Sequence, residues 1–189
     1  CIQAGTLYES RKFRNCVFVG KDPSGRARSA CLRGTRDSFR MDGEGSDKRY
    51  SFSLLAADPA CPRLAVAESP IDALSLAVLV KRFGGDWRDS HYLSLGGTAP
   101  NAMVQFLQDH RHVTQVSLCL DNDKAGITGM ERLEQAIRED PELSQRIKLI
   151  YHNPPPADYG KDYNEFLCAQ IKQERNMKRK KAVEHQRTL

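Results

Sequence analysis

From residue 63 onward, short apolar runs alternate with segments of helical periodicity. Runs such as Leu64–Ala67 and Val116–Leu120 have the length of buried strands, and each precedes a segment whose apolar residues recur at helical spacing. The pattern predicts strands over 64–67, 91–95, 116–120 and 147–151, and helices over 70–83, 99–110, 125–139 and 162–185. Strands that alternate with helices through short loops are typical of a mainly parallel α/β sheet flanked by helices.

The first 50 residues have a different pattern, which predicts a small β-rich segment. Two apolar-bearing runs, Phe13–Val19 and Ala27–Leu32, flank Asp22–Gly25, whose sequence Asp-Pro-Ser-Gly is a strong turn signal. We interpret these runs as a β-hairpin, followed by a polar, glycine-bearing loop over Asp42–Asp47. The change in pattern predicts a β-rich subdomain over 1–58, an α/β domain over 59–169 and a helical tail or linker over 170–189.

Composition excludes two classes of protein. The chain has 189 residues, of which 40% are hydrophobic and 28% charged, and no apolar run approaches the ~18 residues of a membrane-spanning helix. The six cysteines are scattered and no pair is spaced as CxxC, so we expect free thiols in a reducing cytoplasm rather than a secreted disulfide scaffold. The chain begins at Cys1 without Met or a signal peptide, which suggests a segment of a longer protein.

The charge is unevenly distributed along the chain. The net charge is +5 over residues 1–50, −5 over residues 51–169 and +5 over residues 170–189. An acidic middle between basic ends suits an enzyme whose carboxylates hold a cation while the basic parts hold phosphates. The alternative interpretation is that the charged residues of each segment are ordinary, solvent-exposed surface residues.

Acidic residues follow two of the predicted strands. Glu68 ends the first strand and Asp121 the third, and Asp123 points the same way as Asp121 if the segment is extended. In parallel sheets, sites collect at the carboxyl ends of the strands, and carboxylates gathered there suit Mg²⁺. Asp123 and Asp72 also fit a structural role as capping or first-turn residues of the helices that follow.

Two further loops lie at the same predicted edge. Gly96 and Gly97 precede a helix, where they would form an anion-binding loop or simply a tight turn. Lys161 and Asp162 precede the last helix, either as part of the site or as its N-terminal cap.

Four motifs, taken in order, resemble the Toprim domain of bacterial primases, topoisomerases and some nucleases. They are Ala67–Leu74, Ser94–Ala99, Leu120–Gly126 and Gly160–Leu167. The order and the Gly-Thr element resemble the primase branch, and the basic residues upstream lie where primases carry a small basic subdomain. The resemblance covers about residues 5–168 and is nearest to the primase-like proteins of plasmids and mobile elements.

The resemblance implies a Rossmann-like Toprim fold and a set of site residues. Glu68, Asp121 and Asp123 would be catalytic, and the metal ligands would be Glu68, Asp72, Asp121, Asp123 and Asp162. We assign nucleotide or phosphate binding to Gly96, Gly97, Thr98, Lys124 and Lys161. The chain departs from the primase pattern at Asn164, where a further Asp is usual, and this weakens one metal position.

The function that follows is Mg²⁺- or Mn²⁺-dependent nucleotidyl transfer, as in a DNA primase, within a replication or mobilisation protein. The partners would be single-stranded DNA, nucleotides and other domains of a longer chain, such as a zinc module or a helicase, with no membrane. The basic residues expected to line a DNA groove are Arg26, Arg28, Arg33, Lys48 and Arg49. A nuclease or topoisomerase-like cleavage activity, and an inert DNA-binding module, are the alternatives. The basic tail is interpreted as a linker or frayed helix.

Overall fold

The chain forms two β-sheets, the second of which has helices on both faces. The computed structural model describes residues 1–187, with the side chains of residues 1–180. The strands are β1 (Leu7–Glu9), β2 (Cys16–Lys21), β3 (Ala27–Arg33), β4 (Arg40–Asp42), β5 (Ser53–Leu54), β6 (Arg63–Ala67), β7 (His91–Ser94), β8 (Gln115–Leu118) and β9 (Leu149–His152). The helices are α1 (Pro70–Arg82), α2 (Asn101–Asp109), α3 (Lys124–Glu139), α4 (Pro141–Arg146) and α5 (Tyr163–Arg187).

The first sheet is antiparallel, with the strand order β1-β2-β3-β4. Its centre is the predicted hairpin, in which Phe18 of β2 lies opposite Cys31 of β3. The turn forms because an oxygen of the Asp22 carboxylate accepts hydrogen bonds from the amides of Ser24 and Arg26, at 3.0 and 3.1 Å. The outer strands β1 and β4 were not predicted, since each has only three residues and most of these are exposed.

The second sheet confirms the predicted mainly parallel α/β fold. Its strand order is β5-β7-β6-β8-β9, and every neighbouring pair is parallel except β5 with β7. The predicted strands and helices are all present, within a few residues of their expected bounds. The two-residue strand β5 and the short helix α4 were not predicted, because neither is long enough to show a period.

Two hydrophobic clusters cover the two faces of the second sheet. On one face the strands pack against α2, α3 and α4, through residues such as Leu107, Leu133 and Leu143. On the other face they pack against α1, and this cluster also contains Phe18 of the first sheet and Phe52 of the connecting segment. The two sheets therefore share one core. None of the helices described is long and apolar enough to cross a lipid bilayer.

Candidate active site

Glu68 and Asp121 lie side by side because the strands that precede them, β6 and β8, are neighbours in the sheet. The Asp121 amide donates a 3.3 Å hydrogen bond to Oε1 of Glu68. Burial and the charge of Asp121 raise the pKa of Glu68 to about 7, and burial and the charge of Asp72 raise the pKa of Asp121 to about 6. The site thus holds two half-buried carboxylates whose negative charges repel each other.

Lys161 supplies a positive charge to this pair. Its Nζ lies 3.5 Å from Oδ2 of Asp121, and the Asp121 carboxylate raises the pKa of the lysine. The loop that carries Lys161 is tied to the end of β8, since the Asn122 amide donates to the Lys161 carbonyl oxygen at 2.6 Å. The role of Asn122 was not predicted, because no pattern in the sequence marks it; its side chain also donates to the Pro155 carbonyl at 3.1 Å.

The other three predicted acids accept hydrogen bonds from the backbone at helix starts. Asp123 caps α3, and its Oδ1 accepts from the Gly126 amide at 2.9 Å. Asp162 does the same for α5 through the Glu165 amide, at 2.7 Å. Asp72 is buried in the first turn of α1. Its Oδ2 accepts from the Ser69 hydroxyl at 2.5 Å, and its Oδ1 accepts from the Asn164 amide at 3.1 Å.

The glycine loop after β7 lies at the same edge. The Gly97 amide donates to the Glu68 carbonyl oxygen at 3.1 Å, and Gly96 and Gly97 both have positive φ values, 69° and 144°. A side chain at either position would be strained. Thr98 packs against α3, since a Cβ added at Gly129 would lie 3.1 Å from its Cβ. Lys124 is exposed at the first position of α3.

The close packing at Gly126 was not predicted from the sequence. A Cβ at this position would lie 2.1 Å from the carbonyl oxygen of Asp121, so only glycine allows α3 to start this close to the site. The available signal was a glycine inside a predicted helix, where glycine weakens the helix and usually has a packing reason.

Of the five basic residues predicted to bind DNA, Arg33 lines a groove that Glu68 of the acidic site also lines. The groove has a volume of about 450 Å³ and runs between the first sheet and the edge of the second. Its lining residues are Arg33, Arg40, Met41, Asp42, Glu68, Ser69, Gly96 and Gly97. Arg40 was not predicted, although it lies in the same basic part of the sequence.

Three of the other predicted cations are held in ion pairs of the first sheet. Arg28 contacts Asp22 and Asp47 at 3.4 and 3.1 Å, Arg49 contacts Asp47 at 2.8 Å, and Lys48 contacts Asp42. Arg26 is exposed in the hairpin turn. These four residues stay predictions as nucleic-acid contacts.

The donor set at this edge suits a hard divalent cation that keeps part of its water shell. Among the side chains described, no three acidic, histidine or cysteine groups come close enough to hold a metal ion between them. Glu68 and Asp121 nevertheless adjoin each other, and Mg²⁺ is often bound by one or two carboxylates together with the phosphates of a substrate. The pair therefore fits Mg²⁺ as an open site rather than as a closed cage.

Comparisons with solved structures find primases. The chain covers 68% of the primase fragment of the bacteriophage T7 primase-helicase protein, with 95% of its own length matched, 16% identity and a TM-score of 0.60. It matches the DnaG primase catalytic domain bound to single-stranded DNA with a TM-score of 0.51 and 16% identity, covering 94% of this chain and 57% of that one. Identities this low indicate a shared fold.

Sequence comparisons identify the family. An uncharacterised protein of Bacillus anthracis, pXO2-78, is 28% identical over 97% of this chain, which spans only 56% of that relative's length. Residues 1–58 match a family described as a protein of unknown function, DUF3991. Residues 65–167, more than half of the chain and all of the edge that carries Glu68 and Asp121, match the Toprim-like family. The chain therefore belongs to the Toprim-like family.

Proposed function

We propose that this chain is a primase-like module that carries out Mg²⁺-dependent nucleotidyl transfer on nucleic acid. The observation that carries the proposal is the adjacent pair of Glu68 and Asp121, of which Glu68 lines an open groove together with Arg33 and Arg40. Acidic and basic side chains facing one groove suit a reaction in which a cation and arginines share the charge of phosphates.

Each part of the site has a distinct task in this proposal. Glu68 and Asp121 would hold the divalent cation, which when bound would polarise a phosphate oxygen. Lys161 balances the charge of Asp121 and would contact a nucleotide phosphate, as would the backbone groups of Gly96 and Gly97 at the groove wall. Asp123, Asp72 and Asp162 would orient the edge by fixing the starts of α3, α1 and α5. All three stay predictions as metal ligands, and Asp123 also as a catalytic residue.

The proposed partners are single-stranded DNA and nucleotides. The similar DnaG domain is described as bound to single-stranded DNA, and Arg33 and Arg40 would contact the phosphates of such a strand. The T7 relative is described as part of a primase-helicase, so we propose that this chain acts with further domains, in a cytoplasmic replication or mobilisation protein. Its own units would be residues 1–58, 59–169 and 170–189.

Calorimetric titration of Mn²⁺ tests the site directly. We expect saturable binding to the wild-type chain that is lost in both Glu68→Gln and Asp121→Asn, because each variant removes one of the two adjoining charges. Glu131→Gln is the matched control, since Glu131 is an exposed acid on α3. Binding that is indifferent to the Glu68 and Asp121 changes would contradict the proposed site.

Activity assays then separate the proposed function from its alternatives. We expect Mn²⁺- or Mg²⁺-dependent oligonucleotide synthesis on a single-stranded template, lost in the same two variants. Nicking of supercoiled plasmid without synthesis would replace the proposal with a nuclease. Binding of DNA without turnover of any nucleotide would replace it with a binding module.

A further inference from the structure

We propose that the first sheet carries a second contact for single-stranded DNA, in which unpaired bases stack on exposed phenylalanines at its far end. The contact lies in a cleft of about 290 Å³ between the β1–β2 and β3–β4 loops, which we call the aromatic cleft. Its lining residues are Phe13, Asn15, Thr35, Arg36, Asp37 and Phe39. The inference deepens the proposed function and rests on it for the choice of DNA as ligand.

Two aromatic rings are available at this cleft. Phe13 is 67% exposed and Phe39 is 41% exposed, although phenylalanine is among the side chains most often buried in proteins. An exposed aromatic ring offers a stacking surface to any unpaired base, because every base has a π-face. Two such rings lining one cleft suit a strand that passes through it.

Hydrogen bonds hold the two loops together. The Thr35 hydroxyl donates to the Arg14 carbonyl oxygen at 3.1 Å, which joins the β3–β4 loop to the β1–β2 loop. The Gly34 amide donates to the Phe39 carbonyl at 2.7 Å, and the Phe39 amide donates to Oδ1 of Asp37 at 3.0 Å. Arg14 has a φ of 59°, a strained value for a residue other than glycine. These hydrogen bonds and the strained backbone at Arg14 thus define the shape of the two loops that form the cleft.

The charge around the aromatic cleft favours a polyanion. The ammonium group of Lys12 lies 5.0 Å from the centroid of the Phe13 ring. Among the side chains described, Arg11, Lys12, Arg36 and Arg40 take part in no ion pair, whereas Arg14 is paired with Glu9. Asp37 is the acid in the cleft, and its carboxylate already accepts the Phe39 amide. Basic residues that form no ion pair, beside aromatic rings that keep an exposed face, are the combination that binds single strands.

The β3–β4 segment supplies lining residues both to the aromatic cleft and to the groove at the acidic site. Phe39 of the cleft is followed directly by Arg40 and Met41, which line the groove together with Glu68. Arg33, which also lines the groove, is two residues from Thr35 of the cleft. A strand whose phosphates contact Arg33 and Arg40 would therefore reach the phenylalanines with its neighbouring bases.

Fluorescence anisotropy of a labelled oligothymidylate, measured without divalent metal over a range of salt concentrations, tests the proposal. We expect Phe13→Ala and Phe39→Ala each to weaken binding by roughly fivefold or more, with an unchanged salt dependence, because stacking involves no counterion release. Arg36→Gln should instead reduce the slope of log affinity against log salt by about one. Phe83→Ala is the matched control, since Phe83 is 66% exposed at the end of α1.

Two conservative variants distinguish stacking from a general apolar contact. Phe39→Tyr should keep the wild-type affinity because the ring remains, and Phe39→Leu should lose as much affinity as Phe39→Ala. Equal affinity of wild type, Phe13→Ala and Phe39→Ala at unchanged melting temperature would overturn the proposal, as would equal losses on duplex DNA. The anisotropy assay contains no metal. A wild-type chain that bound no Mn²⁺ or synthesised no oligonucleotide would therefore contradict the proposed function, and the anisotropy result would be unaffected.

Discussion

Five acidic side chains lie near the carboxyl edge of the second sheet, and their hydrogen bonds separate them into two kinds. Asp72, Asp123 and Asp162 accept backbone amides at helix starts, and these hydrogen bonds stabilise the helices. Glu68 and Asp121 instead follow the strands β6 and β8, where burial and nearby carboxylates raise the pKa values of both. Acidic side chains a few residues apart therefore have two roles, according to whether they begin a helix or follow a strand.

Asp72→Ala tests this separation at a single residue. Alanine has no polar side-chain atom, so the Ser69 hydroxyl and the Asn164 amide, which both donate to Asp72, lose that acceptor. We expect the free energy of unfolding to fall by about 1–3 kcal/mol, the range for a buried polar group left unpaired. Urea denaturation followed by circular dichroism measures the change.

The same variant should still bind Mn²⁺ saturably in calorimetry, with only a modest change in affinity, because Asp72 acts on Asp121 through its charge and not as a ligand. Ser69→Ala removes the hydroxyl that donates to Asp72 and also the cap of α1, so it should lower stability while it leaves the Mn²⁺ affinity unchanged. Loss of Mn²⁺ binding at unchanged stability would show instead that Asp72 is a metal ligand.

At the scale of elements, the sequence predicted the helices and strands that are long enough to show a repeating apolar pattern, and it did not predict the shortest ones. The helices α1 and α3 were predicted because each combines a long apolar period with an end signal, such as Ser69 as the cap of α1. The strands β1, β4 and β5 have two or three residues, too few to alternate visibly.

The candidate site was predictable only in part, for a physical reason. The sequence placed Glu68 and Asp121 at strand ends, and strand order then made them neighbours. It could not decide whether Asp123 was a ligand or a cap, because the same side chain suits both. The pairing of Arg28 and Arg49 with Asp47 depends on the fold of the first sheet and has no local pattern.

The junction between β7 and the end of α2 makes stability depend on pH. His91 of β7 is 1% exposed, its Nδ1 accepts the Ala56 amide at 3.1 Å, and its ring centroid lies 5.6 Å from those of His110 and His112. Burial and these neighbouring rings lower the pKa of His91 to about 4. Its neutral form is therefore favoured in the folded state.

The contribution of His91 to stability should consequently fall as the pH is lowered, whereas the raised pKa values of Glu68 and Asp121 act in the opposite direction. Below an ordinary histidine pKa of about 6.5 the unfolded chain binds a proton that folded His91 does not accept until near pH 4. The loss from this residue approaches about 1.4 kcal/mol per pH unit within that window. We expect urea denaturation to show that the free energy of unfolding of the wild type, minus that of His91→Asn, falls between pH 7 and pH 4, because the acidic site contributes equally to both proteins. Equal pH slopes in the two proteins would contradict the assignment.

At the scale of the whole molecule, the shared core should make the two sheets unfold together. Phe18 of the first sheet packs edge-to-face on Phe52, with ring centroids 5.2 Å apart, inside the cluster that contains Ala73 and Tyr92. Trp87, the one tryptophan, packs against the same cluster from the second sheet's side and reports its unfolding by fluorescence.

Phe18→Ala should therefore lower the midpoint of the Trp87 fluorescence transition, although the change is in the other sheet. We expect the free energy of unfolding to fall by about 3–5 kcal/mol, as for a buried phenylalanine replaced by alanine, with circular dichroism and fluorescence transitions still coincident. Phe83→Ala, an exposed phenylalanine, should leave the midpoint nearly unchanged. An unaltered Trp87 transition in Phe18→Ala would mean that the sheets unfold independently.

The short strand β5 has a practical consequence for anyone who divides this chain. A fragment that started at residue 59 would lack both β5 and Phe52, although β5 pairs with β7 along the edge of the second sheet. The edge of β7 would then offer unpaired backbone groups beside newly bared apolar side chains, the combination that promotes edge-to-edge aggregation. An expression fragment of the second unit is better started before Ser51, so that its boundary includes the strand that closes that edge.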